Sequence, residues 1–131
     1  MTDRKLISTA TDVMENSYSP YSRFKVGAAV ECTDGTVFTG CNIENSAFGA
    51  TMCAEAAAIA TAVSSGKRNF KRRAIISDGN AYCVPCGACR QLLNEFSPEI
   101  EVLCARSDGR YVSYSLTSLL PMAFGKEQMG S

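Results

Sequence analysis

Two short cysteine motifs carry the clearest chemical meaning in this sequence. The first is Cys53-Ala54-Glu55, and the second is Pro85-Cys86-Gly87-Ala88-Cys89, which places Cys86 33 positions after Cys53. Three cysteine thiolates can hold a zinc ion and leave its fourth coordination position open to water. An open position is typical of a hydrolytic zinc site, whereas structural zinc sites are closed by four protein ligands. We therefore predict that Cys53, Cys86 and Cys89 bind one zinc ion per chain.

Glu55 stands two residues after the first cysteine, where it can reach the metal site without binding the metal. Its carboxylate can take a proton from water at the open position. The same carboxyl can deliver protons to a ring nitrogen and to a departing amine. This arrangement suits the hydrolytic removal of an amine from an electron-poor ring carbon. Glu55 is therefore the predicted catalytic residue.

A further cysteine just before the second motif leaves other metal sites open. Cys83, Cys86 and Cys89 form a Cys-x2-Cys-x2-Cys run, as in iron–sulfur ferredoxins. The ferredoxin pattern has a fourth cysteine three residues later, followed by proline, and this chain has Arg90-Gln91-Leu92 there. A closed zinc site with Cys83 as its fourth ligand would leave Glu55 without a role. A non-catalytic zinc or iron–sulfur protein is therefore the alternative from a different functional class.

The predicted elements place both motifs at the starts of helices. The alanine-rich segment from Cys53 to about Ser64 predicts a helix, with Gly66 suited to its end. Pro85 predicts the start of a second helix, from Cys86 to about Phe96. Helix N-termini carry unpaired N–H groups and partial positive charge, and both stabilise thiolates.

Five strands are predicted around these two helices. Apolar runs separated by turn residues, such as Asp34-Gly35 and Asp108-Gly109, predict strands over 26–32, 36–41, 74–77, 100–105 and 111–114. An amphipathic helix with Thr2 or Asp3 as its N-cap precedes them, and a short helix over 116–120 follows them. We expect an α/β fold with a five-stranded mixed sheet and helices on both faces. Residues 1–131 are expected to form a single domain.

The composition argues against several classes of partner. The sequence has 13 basic and 13 acidic residues, so it lacks the net charge typical of nucleic-acid binding. No apolar run is long enough to span a membrane, and no signal peptide is predicted. The basic run over 67–73 is interpreted as charge that follows a helix C-terminus. Seven cysteines favour a reducing compartment, the cytoplasm, and those outside the motifs are expected to be small core residues: Cys32, Cys41, Cys83 and Cys104.

The sequence resembles the cytidine deaminases of the short, homotetrameric, zinc-dependent kind over nearly its whole length. The resemblance lies in the two cysteine motifs, in residues 20–29 (PYSRFKVGAA), in residues 40–45 (GCNIEN) and in Leu119-Leu120-Pro121. It implies a three-layer α/β/α sandwich and the deamination of cytidine and deoxycytidine to uridine and deoxyuridine, in pyrimidine salvage. The Asn42-Ile43-Glu44 segment favours this reaction over blasticidin S deamination, the alternative within the same class.

The resemblance also implies roles for residues outside the zinc site. Asn42 and Glu44 are expected to hydrogen bond to the ribose 3′-hydroxyl, and Phe24 to pack against the pyrimidine. Backbone atoms around Ala54 would contact the edge of the base. Phe124 matches a phenylalanine that reaches the site of a neighbouring subunit. The implied partners are therefore a small nucleoside substrate and other copies of this chain in a homotetramer.

Two residues depart from the pattern of the family. Ala56 follows the predicted catalytic glutamate, where many members have an arginine that offsets the charge of the thiolates. Without that arginine, the task would fall to helix N-termini, backbone N–H groups and Arg90. Phe48 stands where relatives often have tyrosine, so a hydroxyl that could contact the sugar is missing.

Overall fold

The computed structural model describes residues 1–130, and within them five strands form one mixed sheet. The elements are α1 (Asp3–Met14), β1 (Val26–Cys32), β2 (Val37–Cys41), α2 (Ala54–Ser64), β3 (Phe70–Ser77), α3 (Gly87–Phe96), β4 (Glu101–Ala105), β5 (Tyr111–Ser115) and α4 (Leu116–Leu119), with 3-10 turns at Phe48–Ala50 and Lys126–Met129. The strand order is β2-β1-β3-β4-β5. Only β3 and β4 pair in parallel, and the other neighbours are antiparallel.

Helices cover both faces of the sheet, which confirms the predicted three-layer α/β/α sandwich. On one face, α1 buries Leu6, Ile7 and Ala10 against β1, β3 and β4. On the other face, α2 and α3 pack over a second and larger core. The side chains of each strand alternate between these two cores, because successive residues of a strand point to opposite faces. The cysteine motifs lie on the face covered by α2 and α3.

Two glycines allow the helices to lie unusually close to the sheet. A Cβ at Gly40 of β2 would lie 2.5 Å from the Ala54 carbonyl oxygen and from the Ala58 nitrogen of α2. A Cβ at Gly27 of β1 would lie 2.1 Å from the Ala10 carbonyl oxygen of α1. The small side chains of α2 therefore serve, at least in part, to bring its backbone against β2. This contact fixes the position of the α2 N-terminus, where Cys53 and Glu55 are placed.

Strand β3 is longer than the sequence indicated. It begins at Phe70 rather than Ala74, and it includes Lys71, Arg72 and Arg73. The interpretation of these basic residues as charge beyond a helix terminus was therefore wrong. The pairing of β3 with β1 shifts register between Glu31 and Cys32, where Lys71 is the extra residue of β3. Arg72 and Arg73 then point to opposite faces of the sheet, and both are largely buried.

The other predicted boundaries agree with the structure to within one residue, except at the end of α1. Thr2 caps α1, since its hydroxyl accepts a hydrogen bond from the Lys5 N–H at 3.1 Å. The helix ends at Met14, although the sequence predicts that it continues until just before Ser19-Pro20. Within residues 1–130, none of the helices has both the length and the apolar character required to cross a membrane.

Candidate active site

The candidate metal site is formed by the first turns of α2 and α3. Cys53 is the N-cap residue of α2, and Cys86 is the N-cap residue of α3. Cys89 lies one turn further along α3 and is buried. The N–H groups of both first turns lie around the sulfur atoms, and the backbone N–H of Cys89 donates to the Cys86 sulfur. Two positive helix ends therefore converge on the three thiols.

The three sulfur atoms have the spacing that a tetrahedral zinc ion requires. All lie within 4.8 Å of one another, and the Sγ atoms of Cys53 and Cys86 are 3.8 Å apart. A zinc–sulfur bond of about 2.3 Å gives a tetrahedral sulfur–sulfur separation of about 3.8 Å, so the donor set fits this ion. Within residues 1–130 this is the only group of three or more potential metal ligands so placed. A site with three protein ligands leaves one position for water.

Cys83 does not belong to this cluster, and it is only partly buried where it packs against the core. Its backbone N–H donates to the Ala105 carbonyl, which holds it beside the end of β4. Burial raises the pKa of the Cys83 thiol to about 12, so it stays protonated at neutral pH. The geometry therefore favours neither a closed zinc site with Cys83 as fourth ligand nor an iron–sulfur cluster on the Cys83–Cys89 run.

The ionisation of the three clustered cysteines differs from one to the next. Burial raises the pKa of Cys53 and of Cys89 above the usual value of a thiol. Burial acts in the same direction on Cys86, but hydrogen bonds from the backbone and thiol of Cys89 and from Cys53 lower its pKa overall. In the metal-free protein at neutral pH, at least two of the three sulfurs therefore carry a proton. Zinc must displace these protons, since it binds thiolates.

We expect zinc affinity to fall steeply as the pH falls. Each thiol proton that zinc displaces changes the affinity about tenfold per pH unit, so Cys53 and Cys89 together give about a hundredfold. Competition with a chelator of known affinity, on either side of neutral pH, measures this slope. Calorimetry in buffers of different ionisation enthalpy counts the protons released. An affinity independent of pH would contradict this account of the thiols.

Glu55 lies beside the cluster and is almost fully buried. It is the second residue of α2, and its side chain is 4% exposed. Its Oε2 atom is 3.5 Å from Nη1 of Arg73, a fully buried residue of β3. The carboxylate therefore faces the metal site on one side and a buried guanidinium on the other.

A cavity of about 210 Å³ opens next to the sulfur atoms. Its lining includes three residues predicted to bind substrate, Phe24, Asn42 and Ala54, together with Glu55, Cys53 and Cys86. Other lining residues are apolar or uncharged, namely Val26, Thr51, Met52, Ile75, Cys83 and Val84. The cavity is smaller than the roughly 300–1,000 Å³ typical of drug-sized ligands, and suits a small molecule. Phe24 is 46% exposed, so its ring is available to a ligand.

The side chain of Asn42 holds the wall of the cavity in place. Its Nδ2 donates to the Phe24 carbonyl at 2.7 Å, and its Oδ1 accepts from the Val26 N–H at 3.0 Å. The Ser17 hydroxyl donates to the same oxygen. One N–H of the amide has no protein acceptor among the described residues. Asn42 can therefore fix the position of Phe24 and still donate one hydrogen bond into the cavity.

Glu44 is committed to a neighbouring turn and lies outside the lining of the cavity. Its Oε1 accepts from the N–H groups of Tyr21 and Ser22 at 2.9 and 3.1 Å, and its Oε2 accepts from the Ser22 hydroxyl. The hydrogen bonds from Ser22 hold the pKa of Glu44 below its usual value. The carboxylate is therefore ionised at neutral pH. Phe48, which is 78% exposed, packs edge-on against Tyr21 near this turn.

Phe124 lies on the outer side of α3, away from the cavity of its own chain. Its carbonyl accepts hydrogen bonds from Gln91 Nε2 and Asn94 Nδ2 of α3, at 2.7 and 3.3 Å. Its ring remains 57% exposed. The backbone is therefore anchored, while the ring is presented at the surface.

Arg73 is the site residue that the sequence analysis missed. An arginine in a run of basic residues is expected at the surface, because arginine is rarely fully buried. The one available signal was the apolar segment that directly follows it, since a longer strand would have brought it beside β1 and β4. Arg90, the cation suggested from the sequence, instead donates to the carbonyl groups of Pro85 and Leu119, at 2.9 and 2.8 Å.

Comparison with known proteins relates this site to one family. The family described as "Cytidine and deoxycytidylate deaminase zinc-binding region" matches residues 1–105. The cytidine deaminase of Sporosarcina psychrophila is 44% identical over 126 residues, which cover 95% of this chain and 93% of that protein. The crystal structure of cytidine deaminase from Burkholderia pseudomallei superposes with a TM-score of 0.91 at 42% identity, covering 95% of this chain and all of that one. A blasticidin-S deaminase from Bacillus cereus is 30% identical over 132 residues, covering 93% of this chain and 91% of that protein.

Proposed function

Because the chain belongs to the cytidine and deoxycytidylate deaminase family, we propose that it hydrolyses cytidine and deoxycytidine to uridine and deoxyuridine, with release of ammonia. The observation that carries this proposal is the position of Glu55. It is a buried carboxylate that shares a small cavity with a cluster of three cysteines suited to zinc. A structural zinc site does not require a buried carboxylate that does not bind the metal.

Zinc bound by Cys53, Cys86 and Cys89 would supply a Lewis acid that makes water a good nucleophile near neutral pH. Glu55 accepts the proton of the attacking water and delivers it to the ring nitrogen of the base. It then carries a second proton to the departing amine, which leaves as ammonia. Burial of Glu55 keeps bulk water from competing for these protons. The free N–H groups at the start of α2, around Ala54, can hold the edge of the base.

The remaining substrate contacts follow from the walls of the cavity. Phe24 offers an exposed ring on which a pyrimidine can pack, and the free N–H of Asn42 can donate to the ribose 3′-hydroxyl. Glu44 already accepts hydrogen bonds from Tyr21 and Ser22, so it can accept from that hydroxyl only with its remaining lone pairs. None of the residues that line the cavity is lysine or arginine, so no cation is positioned there for a phosphate. This favours a free nucleoside over a nucleotide or a polynucleotide.

Spectrophotometry with cytidine tests the proposal directly, because uridine and cytidine absorb differently in the ultraviolet. We expect the purified zinc-loaded protein to convert cytidine and deoxycytidine to completion. Blasticidin S, cytidine monophosphate and single-stranded DNA serve as competing substrates, and we expect conversion of them to be slower. Conversion of blasticidin S alone would reassign the substrate. A zinc-loaded protein inactive on all of them would leave the metal with a structural role.

The functional unit is proposed to be a homotetramer in which Phe124 of one subunit approaches the site of another. Its ring is exposed on an anchored backbone, as a residue that contacts a partner would be. Sedimentation measures the oligomeric state. A monomer with full activity would contradict the proposal.

The cellular role proposed is pyrimidine salvage in the cytoplasm, with residues 1–131 acting as one domain. All seven cysteines are free, which suits a reducing compartment. The sheet is shared by both cores, which suits a single cooperative unit. Cell fractionation tests the location, and a single thermal unfolding transition tests the domain assignment.

A further inference from the structure

Arg73 is a fully buried cation whose guanidinium group lacks hydrogen-bond partners among residues 1–130. It is 0% exposed and the largest fully buried side chain in the chain segment that the structure describes. Within residues 1–130, Nε, Nη1 and Nη2 have no hydrogen-bond partner. Burial lowers the pKa of Arg73, but a guanidinium remains protonated at any physiological pH. Such a burial is strongly unfavourable unless nearby negative charge compensates for it.

The negative charge around Arg73 belongs to the candidate active site. Its ion pair among the described residues is with Glu55, at 3.5 Å between Nη1 and Oε2. The sulfur atoms of Cys104, Cys89 and Cys83 also act on its charge, and Cys89 is one of the three clustered cysteines. Arg73 pairs in the sheet with Val30 and Val102, which belong to the core beneath α2 and α3. The guanidinium therefore lies between the sheet and the metal site.

The site needs positive charge beyond what zinc supplies. A divalent ion bound by three thiolates has one net negative charge, and ionised Glu55 adds a second. The two helix N-termini offset part of this charge. The first turn of α2 contains no basic residue, and Arg90 is committed to the carbonyl groups of Pro85 and Leu119. Arg73 is the full positive charge that remains near the cluster.

We propose that Arg73 is a positioning residue of the active site, which holds the Glu55 carboxylate in place and compensates the charge of the zinc-binding thiolates from its position between the sheet and the metal site. It does not line the cavity, so it is not placed to contact a substrate bound there. The part of this role that concerns Glu55 rests on the proposed function. The part that concerns the thiolates can be tested separately, because metal retention can be measured without substrate.

The test compares Arg73→Met with Arg73→Lys and with a matched control, Arg72→Met. Arg72 is the preceding residue of the same strand. It points to the opposite face, where it pairs with buried Glu31 at 2.7 Å. Both methionine variants lose a largely buried cation and its ion pair with a buried glutamate, so both should lose folding stability. Only a change at Arg73 should affect the metal site.

We expect Arg73→Met to bind zinc about 10–100 times more weakly than wild type and to release it faster to a chelator, because a loss of affinity of this size is typical of residues that support metal ligands. With cytidine, kcat should fall about tenfold or more while KM changes less than about threefold, because Arg73 does not touch the cavity. Arg73→Lys keeps the charge and should restore most of the zinc retention. In the cobalt-substituted protein, the thiolate-to-metal charge-transfer band should shift in Arg73→Met and stay unchanged in Arg72→Met.

A double variant keeps the test decisive if Arg73→Met does not fold. Glu55→Gln together with Arg73→Met removes both buried charges, and its zinc release is compared with that of Glu55→Gln alone. Faster release from the double variant supports the proposal without any measurement of activity. Equal release rates would overturn it, as would an Arg72→Met variant that loses zinc as fast as Arg73→Met.

Discussion

Replacing Glu55 by glutamine should lower kcat for cytidine by a factor of about 10²–10⁴ or more while zinc stays bound. General acid–base catalysis contributes about this much per proton transfer, and Glu55 is assigned more than one transfer. Glutamine keeps the size of the side chain but cannot carry a proton. Enzyme assays with zinc content measured on the same samples give the result. A Glu55→Gln variant with wild-type kcat would show that another group moves the protons.

The matched control for this variant is Glu31→Gln. Glu31 is as buried as Glu55, each with a 4% exposed side chain, and it pairs with the neighbouring arginine of β3 on the opposite face of the sheet. Each change breaks an ion pair between a buried glutamate and an arginine of β3, so both should lower the free energy of unfolding. We expect Glu31→Gln to keep its catalytic rate when assayed below its melting temperature. Loss of activity in both variants would point to stability rather than proton transfer.

Replacing Cys89 by alanine should empty the metal site and abolish conversion of cytidine. Loss of a ligand exceeds the 10–100-fold loss of affinity typical of residues that only support ligands, and we expect more than about a hundredfold. Cys89 is buried, so a water molecule does not readily replace the lost sulfur. Metal analysis after dialysis measures the zinc content, and the cytidine assay measures activity.

Cys83→Ala is the internal control for this prediction. Cys83 belongs to the same run of cysteines and lines the same cavity, but it lies outside the cluster of three sulfurs. It should retain a full equivalent of zinc and contain no iron. Equal zinc loss from Cys83→Ala and Cys89→Ala would indicate a closed zinc site with four cysteine ligands. An iron–sulfur absorption band in the wild-type protein would indicate an iron–sulfur cluster instead of zinc.

The fold was predictable where the local pattern agreed with the final environment. The hairpin of β1 and β2 follows from alternating apolar residues around Asp34-Gly35, and both cysteine motifs were placed at helix starts. The first half of β3 was missed because Lys71, Arg72 and Arg73 are charged, and charged residues are expected in solvent. Arg72 and Arg73 are buried because carboxylates from elsewhere in the chain pair with them, Asp3 and Glu31 with Arg72 and Glu55 with Arg73.

The site was predictable in its metal ligands but not in the support beneath them. Cysteine spacing and the nearby glutamate are local features, so they can be read from the sequence. The pairing of Arg73 with Glu55 joins residues from a strand and a helix, and their contact depends on the register of β3 with its neighbours. The commitment of Arg90 to two carbonyl groups depends likewise on how residue 119 folds back over α3.

The extra residue of β3 leaves both the composition and the length of this segment free to vary. In a regular strand, residues three positions apart point to opposite faces, yet Phe70 and Arg73 both belong to the face covered by α2 and α3. The register shift at Lys71 makes this possible, and Lys71 itself is exposed. Many residue types are therefore acceptable at position 71. Deletion of Lys71 would place Phe70 and Arg73 two positions apart, and a regular strand would then keep both on the same face. We therefore expect related sequences to tolerate this segment both with and without the extra residue.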